Sequence, residues 1–231
     1  MNSEGAKRTA MIIGGSGQIG RAIVDHFIRA GCRVAVVSRG KTTIPWTDAE
    51  DHLLILRADV GDEGKVRDVF SHVQETFGKI DFLVYAAAIE PDIDNPIAEY
   101  PLTCWEQTYR TYVTGVFICM KEALRQLAPG GHFVVLSSAV TRFQEGSLPP
   151  LYVGHYASAK AALNELCKWV RREFHEHGLL LSRISPAAVD VPYHRNAPPQ
   201  RKPPHLIPLE LIASTIIHAS LDNVEVDEEM F

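Results

Sequence analysis

Six short apolar runs, each followed by a stretch of helical period, leave this chain few folds to choose from. Thr9–Ile13, Arg33–Val37, Leu53–Arg57, Phe82–Ala86, His132–Leu136 and Leu179–Ile184 are rich in β-branched and aliphatic residues and read as strands. Between them, Ile19–Ala30, Gly64–Phe77, Thr103–Leu127 and Tyr156–His177 carry apolar residues three and four apart and read as helices. Val66, Val69, Phe70, Val73 and Phe77 make one such stripe, which is core packing rather than a site. Gly31, Gly78 and Gly130–Gly131 stand where strand ends need turn residues. This alternation predicts repeated βαβ units: an α/β fold with a doubly wound parallel sheet and helices on both faces. A length of 231 residues suits one such domain over 1–231.

Composition narrows the partners. With 46% apolar and 22% charged residues the chain is ordinary for a globular protein, and a net charge of -5 gives no basic face for a nucleic acid. The polar start before Met11–Ile13 does not resemble a signal peptide, and no apolar run reaches membrane-spanning length, so a cytoplasmic protein without a membrane partner is expected. Cys32, Cys104, Cys119 and Cys167 lack the paired spacing of a metal or redox motif, and the histidines are scattered; no metal site is expected.

The first strand runs straight into Gly14-Gly15-Ser16-Gly17-Gln18-Ile19-Gly20 and then a helix. Gly15, Gly17 and Gly20 satisfy G-x-G-x-x-G, while Gly14, Gly17 and Gly20 satisfy G-x-x-G-x-x-G. Glycine serves here for the tight turn, for close backbone approach to a pyrophosphate and for close helix–strand packing. The helix N-terminus beyond it favours the phosphates. In this setting the loop predicts a Rossmann-type nicotinamide dinucleotide site. At the end of the second strand stands Ser38-Arg39, with no carboxylate for an adenosine ribose. A guanidinium there can pair with a 2′-phosphate, so NADP(H) is the preferred cofactor, with NAD(H) as the alternative.

Of the seven tyrosines only Tyr156 has a lysine four positions on, Lys160, which places both side chains on one helix face. A lysine ammonium beside a phenol favours the phenolate, which suits general acid–base work. The string YASAKAAL, the glycine loop, Asp59-Val60, Ser137-Ser138 and Ile184-Ser185-Pro186 follow in order. Together they resemble the short-chain dehydrogenase/reductase family over roughly Thr9 to Leu221. The resemblance implies that Tyr156 is the general acid/base, that Lys160 also holds the nicotinamide ribose, and that Ser138 hydrogen-bonds the substrate oxygen. It further implies that Asp59 and Val60 line the adenine, Ala86, Ala87 and Ala88 the adenosine side, and Pro186 with Val189 the nicotinamide.

The chain departs from the family's pattern in several places. Tyr85-Ala86-Ala87-Ala88 replaces the usual Asn-Asn-Ala-Gly, and Gln18 stands at the middle glycine of the loop. Tyr112 stands where the family commonly has an asparagine that holds a water of the proton relay, so that relay does not carry over. Ala187 and Val191 replace a glycine and a threonine, the serine-to-tyrosine interval is long, and the acidic end Val226–Phe231 lacks the family's usual closing sequence.

The resemblance and these residues lead to an NADPH-dependent reduction of a carbonyl, or the reverse oxidation of an alcohol, on a small molecule. Two alternatives stay open: a cofactor-binding regulatory or scaffold protein without turnover, and a redox-neutral epimerase. Pro192–Pro208, with six prolines, is expected to be irregular and to act as a substrate lid, with Arg195, Arg201 and Lys202 facing an anionic substrate or solvent. Apolar residues on more than one face of the two long helices, Phe117 and Trp169 among them, predict a homodimer, with a tetramer as the alternative.

Overall fold

The computed structural model describes residues 7–40, 52–89, 95–142, 153–197 and 203–230. Its seven strands are β1 (Thr9–Ile13), β2 (Arg33–Ser38), β3 (Leu53–Arg57), β4 (Ile80–Tyr85), β5 (Leu127–Leu136), β6 (Leu180–Pro186) and β7 (Asp227–Met230). All pairings are parallel, in the order β3-β2-β1-β4-β5-β6-β7. The central strands are apolar on both faces because both are covered. On β1, Ala10 and Ile12 join one core and Met11 and Ile13 the other. The first core is closed by α1 (Gln18–Arg29) and α7 (Leu209–Leu221), through Ile23, Val24 and Phe27 against Ile212, Ala213 and Ile216. The second is closed by α2 (Glu63–Phe77), α4 (Gly115–Gln126) and α5 (Gly154–Glu176). This is the doubly wound Rossmann-type arrangement; the six expected strands are all present, as are the expected helices apart from the third.

From β1 the chain winds outward to β3, then crosses back to β4 on β1's other side. The carboxyl ends of β1 and β4 therefore open a crevice, where ligands of such sheets bind. Gly14 N–H donates to the Val37 carbonyl and Ala86 N–H to that of Ile13, both at 2.8 Å, so the loops lining the crevice begin as continuations of the sheet.

Two expectations are corrected, and one strand is added. Thr103–Leu127 is not one helix. After α3 (Leu102–Tyr109) it passes through a π-helical turn, Arg110–Thr114, before α4, and Leu127 already belongs to β5. Helical period alone does not distinguish a turn that carries one extra residue. Pro192–Pro208 is not wholly irregular, because α6 (Pro192–Arg195) forms with proline at its first position, where the missing N–H costs nothing. The acidic end, which lacks the family's usual closing sequence, forms the edge strand β7. Its ladder to β6 is held by charge: Arg183 Nε donates to Asp227 at 2.8 Å, and Arg171 reaches both Asp227 and Glu225 at 3.1 Å. Burial pushes the Asp227 carboxyl up, but Arg183 and Arg171 outweigh it and hold the pKa below its ordinary value.

Candidate active site

The loop after β1 is shaped by two close approaches. Gly14 has φ +84°, and a Cβ on it would lie 2.5 Å from the backbone of Ala87. A Cβ on Gly20 would lie 2.2 Å from the Gly14 carbonyl oxygen. Gly17 is different: a Cβ there meets only that same oxygen, at 3.4 Å. It caps α1 with no side-chain hydrogen bond, so the first-turn N–H groups of Gln18, Ile19 and Gly20 lack helical partners and face the crevice end. A smooth backbone surface ending in free N–H groups fits a pyrophosphate. Ser16 sits at the rim, its carbonyl accepting from Arg21 Nε at 3.0 Å.

Beside this loop lies a cavity of about 450 Å³ lined by Arg39, Arg57, Ala58, Asp59 and Lys65. Arg57 Nε donates to the Arg39 carbonyl at 2.7 Å and so ties the tips of β2 and β3 together. Asp59 accepts from Gly61 N–H at 3.0 Å and from Arg110 at 3.3 Å; these, the backbone bond first, hold its carboxyl below the ordinary range. With that carboxylate engaged, three cations face one cavity. Arg39 and Asp59, expected at a 2′-phosphate and at the adenine respectively, line this one cavity along with Arg57 and Lys65, which the sequence reading did not single out. Val60 is placed otherwise: its side chain is buried in the core, against Gly115.

Across the crevice, Ser138 follows β5 and opens a short turn, Ala139–Thr141. Its Oγ accepts from Val140 N–H at 3.2 Å and is hydrogen-bonded to the phenol of Tyr156. Tyr156 and Lys160 occupy successive turns of α5. Lys160 is 4% exposed, and its ammonium donates to the Leu136 carbonyl at 2.8 Å, pinning α5 to the end of β5. Burial drives its pKa from 10.5 to about 7. For Tyr156, burial raises the pKa, the Ser138 hydrogen bond opposes that rise, and nearby Tyr193 of α6 adds to it. Lys160 was expected to be the group that favours the phenolate. Its Nζ, however, lies 5.7 Å from the Tyr156 ring centroid and is itself strongly desolvated, so Ser138 supplies the larger help.

Two further side chains complete the site, Asn164, which the sequence reading did not single out, and Tyr112, which it named only as a departure. Asn164, one turn beyond Lys160, accepts from the Ser137 hydroxyl and donates to Thr141 Oγ at 3.0 Å, fixing the segment that carries Ser138. Its i+4 spacing from Lys160 was the available signal. Tyr112 places its ring 4.3 Å from the Lys160 ammonium and edge-on to Tyr156, with centroids 5.3 Å apart.

Pro186 ends β6, and Val189 is buried and bridged to Ile207. Ala86 and Ala87 are half-buried beside the glycine loop, and Ala88 is exposed. Arg195 is engaged in an ion pair with Asp190, 2.8 Å at its Nη2. Arg201 and Lys202 lie outside the described residues, as does most of the Thr141–Gly154 connection.

A glycine loop at a switch point, facing a serine, a tyrosine and a lysine on the far wall, defines a class of nucleotide-dependent oxidoreductases. Residues 8–202 match the family model for short chain dehydrogenase, and the chain belongs to that family. It is an NAD(P)-dependent oxidoreductase of the carbonyl/alcohol type. An NADPH-dependent aldehyde reductase of Arabidopsis thaliana is 27% identical over 203 residues, 80% of this chain and 73% of that one. Zerumbone synthase of Zingiber zerumbet is 31% identical over 188 residues, 79% of this chain and 68% of its own. Among solved structures, a Serratia marcescens short-chain dehydrogenase/reductase superposes with a TM-score of 0.84 at 21% identity, covering 97% of this chain and 96% of that one. BdcA in complex with NADPH superposes at 0.80 with 22% identity, over 98% and 94%. Among the described residues, no helix is long and apolar enough to cross a membrane.

The buried lysine has a consequence for stability. Its folded pKa of about 7 lies below the 10.5 of an exposed lysine, so the unfolded chain binds the extra proton between those values. The penalty is complete below about pH 7 and fades as the pH rises towards 10.5. Lys160→Met in the protein alone should therefore stabilise the fold at pH 7 by about 1–3 kcal/mol, several degrees in Tm, while abolishing turnover. The gain should shrink as pH rises; a Tm lowered at every pH in calorimetry would refute the burial argument.

Proposed function

We propose that this chain reduces a carbonyl on a small molecule with NADPH, and catalyses the reverse alcohol oxidation, using Ser138, Tyr156 and Lys160 as its catalytic residues. The observation that carries the reading is the convergence of these three on the wall opposite the glycine loop, with Ser138 already turned to the Tyr156 phenol. When bound, the cofactor would supply or accept a hydride at its nicotinamide. Ser138 donates to the substrate oxygen and polarises it. Tyr156 gives its phenolic proton to that oxygen as the alcohol forms. Lys160 orients the nicotinamide ribose and, when charged, lowers the cost of the phenolate left behind.

Gly14, Ser16, Gly17, Gln18, Ile19 and Gly20 would hold the pyrophosphate, as their open N–H groups suit. Asp59 and the Val60 backbone would border the adenine, Ala86 to Ala88 the adenosine side, and Pro186 and Val189 the nicotinamide. A preference for NADPH over NADH is supported by Arg39, Arg57 and Lys65 around one cavity beside Ser38. Segment 192–208 is proposed as a lid over the substrate, with Tyr193 near the phenol. A cytoplasmic location fits the four unpaired cysteines, three of them buried thiols.

Tyr156→Phe should remove nearly all turnover of NADPH against a panel of ketones and aldehydes while leaving cofactor affinity almost unchanged; more than about a tenth of wild-type kcat remaining would end the assignment. Ser138→Ala should cost a factor on the order of 10²–10³.

Wild type should bind NADPH at least about tenfold more tightly than NADH, and Arg39→Ala should narrow that gap by roughly a factor of ten. Fluorescence titration with both cofactors checks this, and equal affinities would reduce Arg39 to a surface charge.

A two-fold dimer through α4 and α5 is proposed because Phe117 is 48% and Trp169 76% exposed on those helices. Sedimentation at micromolar concentration should give the mass of two chains, and a monomer there would overturn it.

A further inference from the structure

Lys160 is the most deeply buried cation of the site, yet among the described residues its one hydrogen bond, to the Leu136 carbonyl, answers only one of its three N–H donors. What else faces it is a ring. The Tyr112 centroid lies 4.3 Å from the ammonium, inside the range where the negative face of an aromatic ring attracts a cation. The remaining titratable groups around it are Tyr156 and Cys167 on its own helix, and Cys167 is a thiol that burial keeps protonated. Among the described residues no carboxylate forms an ion pair with it.

The ring cannot wander. Tyr112 is 2% exposed, its hydroxyl donates to the Ile89 carbonyl at 2.7 Å, and the same oxygen accepts from Ile89 N–H at 3.1 Å. Burial keeps its phenol neutral. It stands on the π turn Arg110–Thr114, whose widened backbone is held in turn by Tyr85 at the end of β4, whose hydroxyl donates to the Thr111 carbonyl at 2.6 Å. Two tyrosines thus cross-brace the same two segments in opposite senses: one reaches from the β4 end to the π turn, the other from the π turn to the residues after β4.

We propose that Tyr112 is a positioning residue of the proton-transfer pair: its ring face seats the Lys160 ammonium, and its hydroxyl, closed on the Ile89 backbone, ties that seat to the segment beyond β4. The inference rests on the reading of Tyr156 and Lys160 as that pair. By this arrangement the lysine keeps its charge in a pocket that burial alone would neutralise, and the ring fills the space through which water would otherwise reach it.

The test grades the ring's charge at constant shape. In the full chain, Tyr112 is replaced by phenylalanine, difluorophenylalanine and trifluorophenylalanine, and the Lys160 ionisation is followed by NMR of ε-carbon-labelled lysine, its signal assigned by its loss in Lys160→Met. The midpoint should fall stepwise across the series, by about one pH unit in all, and kcat on the best carbonyl of the panel should fall in the same order. A midpoint constant within about 0.1 pH unit across the three rings overturns the proposal, because shape alone would then suffice. Tyr112→Phe should keep the wild-type midpoint; a fall there as large as that of the trifluoro variant would mean that the hydroxyl, not the ring, is the seat. Tyr156→Phe in the same turnover assay keeps the two readings apart. If it is inactive and the titrations are flat, the Tyr112 proposal falls alone. If it remains active, the proton-transfer reading fails, and the Lys160 midpoints still judge the contact.

Discussion

Everything at the site depends on three backbones meeting at the carboxyl end of β1. The Gly14 carbonyl, Gly20 at the first turn of α1, and Ala87 after β4 approach one another so closely that a single methyl at Gly14 or Gly20 would overlap main chain. A main-chain clash, unlike one with a flexible side chain, cannot be relieved locally. The helix is thereby held with its N-terminus aimed into the crevice, and the segment after β4 is held down onto the loop. The same closeness sets the distance across the crevice to Ser138 and α5, because β4 and β5 are neighbours in the sheet.

Much of this was legible in the chain because its cause is local. Gly14 to Gly20 between an apolar run and a helical stripe can do little else, and Tyr156 with Lys160 shares a helix face by arithmetic. What escaped has non-local causes. β7 carries Asp227 where a strand signal would have an apolar residue, and its ladder to β6 is reinforced by Arg183 and Arg171, about fifty residues earlier, which meet that carboxylate. The π turn leaves no mark on a period-3.6 reading, since the residues on both sides of it remain apolar at helical spacing. Arg57 looked like the ordinary charged end of a strand until the sheet order set it beside Arg39. Val60 was carried over as a cofactor contact, but in the turn after β3 its side chain goes to the core. α6 was hidden by the composition of the proline-rich stretch as a whole, although proline at a helix start is favourable.

The catalytic wall shows why function and stability oppose each other here. A lysine inside a core costs solvation, and a single carbonyl does not restore it. The chain nonetheless builds three further contacts around that region: Asn164 fixing Ser137 and Thr141, Ser138 directed to the phenol, and Tyr112 over the ammonium. Only the first is a structural bond of the common kind. The other two act on the charged forms of Lys160 and Tyr156, which the bare fold disfavours and proton transfer requires.

Tyr85 and Tyr112 are the departures that weigh most against an active enzyme when each is counted alone. The structure makes them a single device. The Tyr85 hydroxyl satisfies the Thr111 carbonyl at the π turn, and Gly115 is needed just beyond because a Cβ there would lie 2.5 Å from that same hydroxyl. The turn so held delivers the Tyr112 ring to Lys160 and its hydroxyl to Ile89. Removing either tyrosine would leave a backbone polar group of the other's segment without its partner. Two large aromatic residues that brace one turn, one of them with its ring against the buried cation of the proton-transfer pair, are better understood as an alternative support for that pair than as traces of its decay.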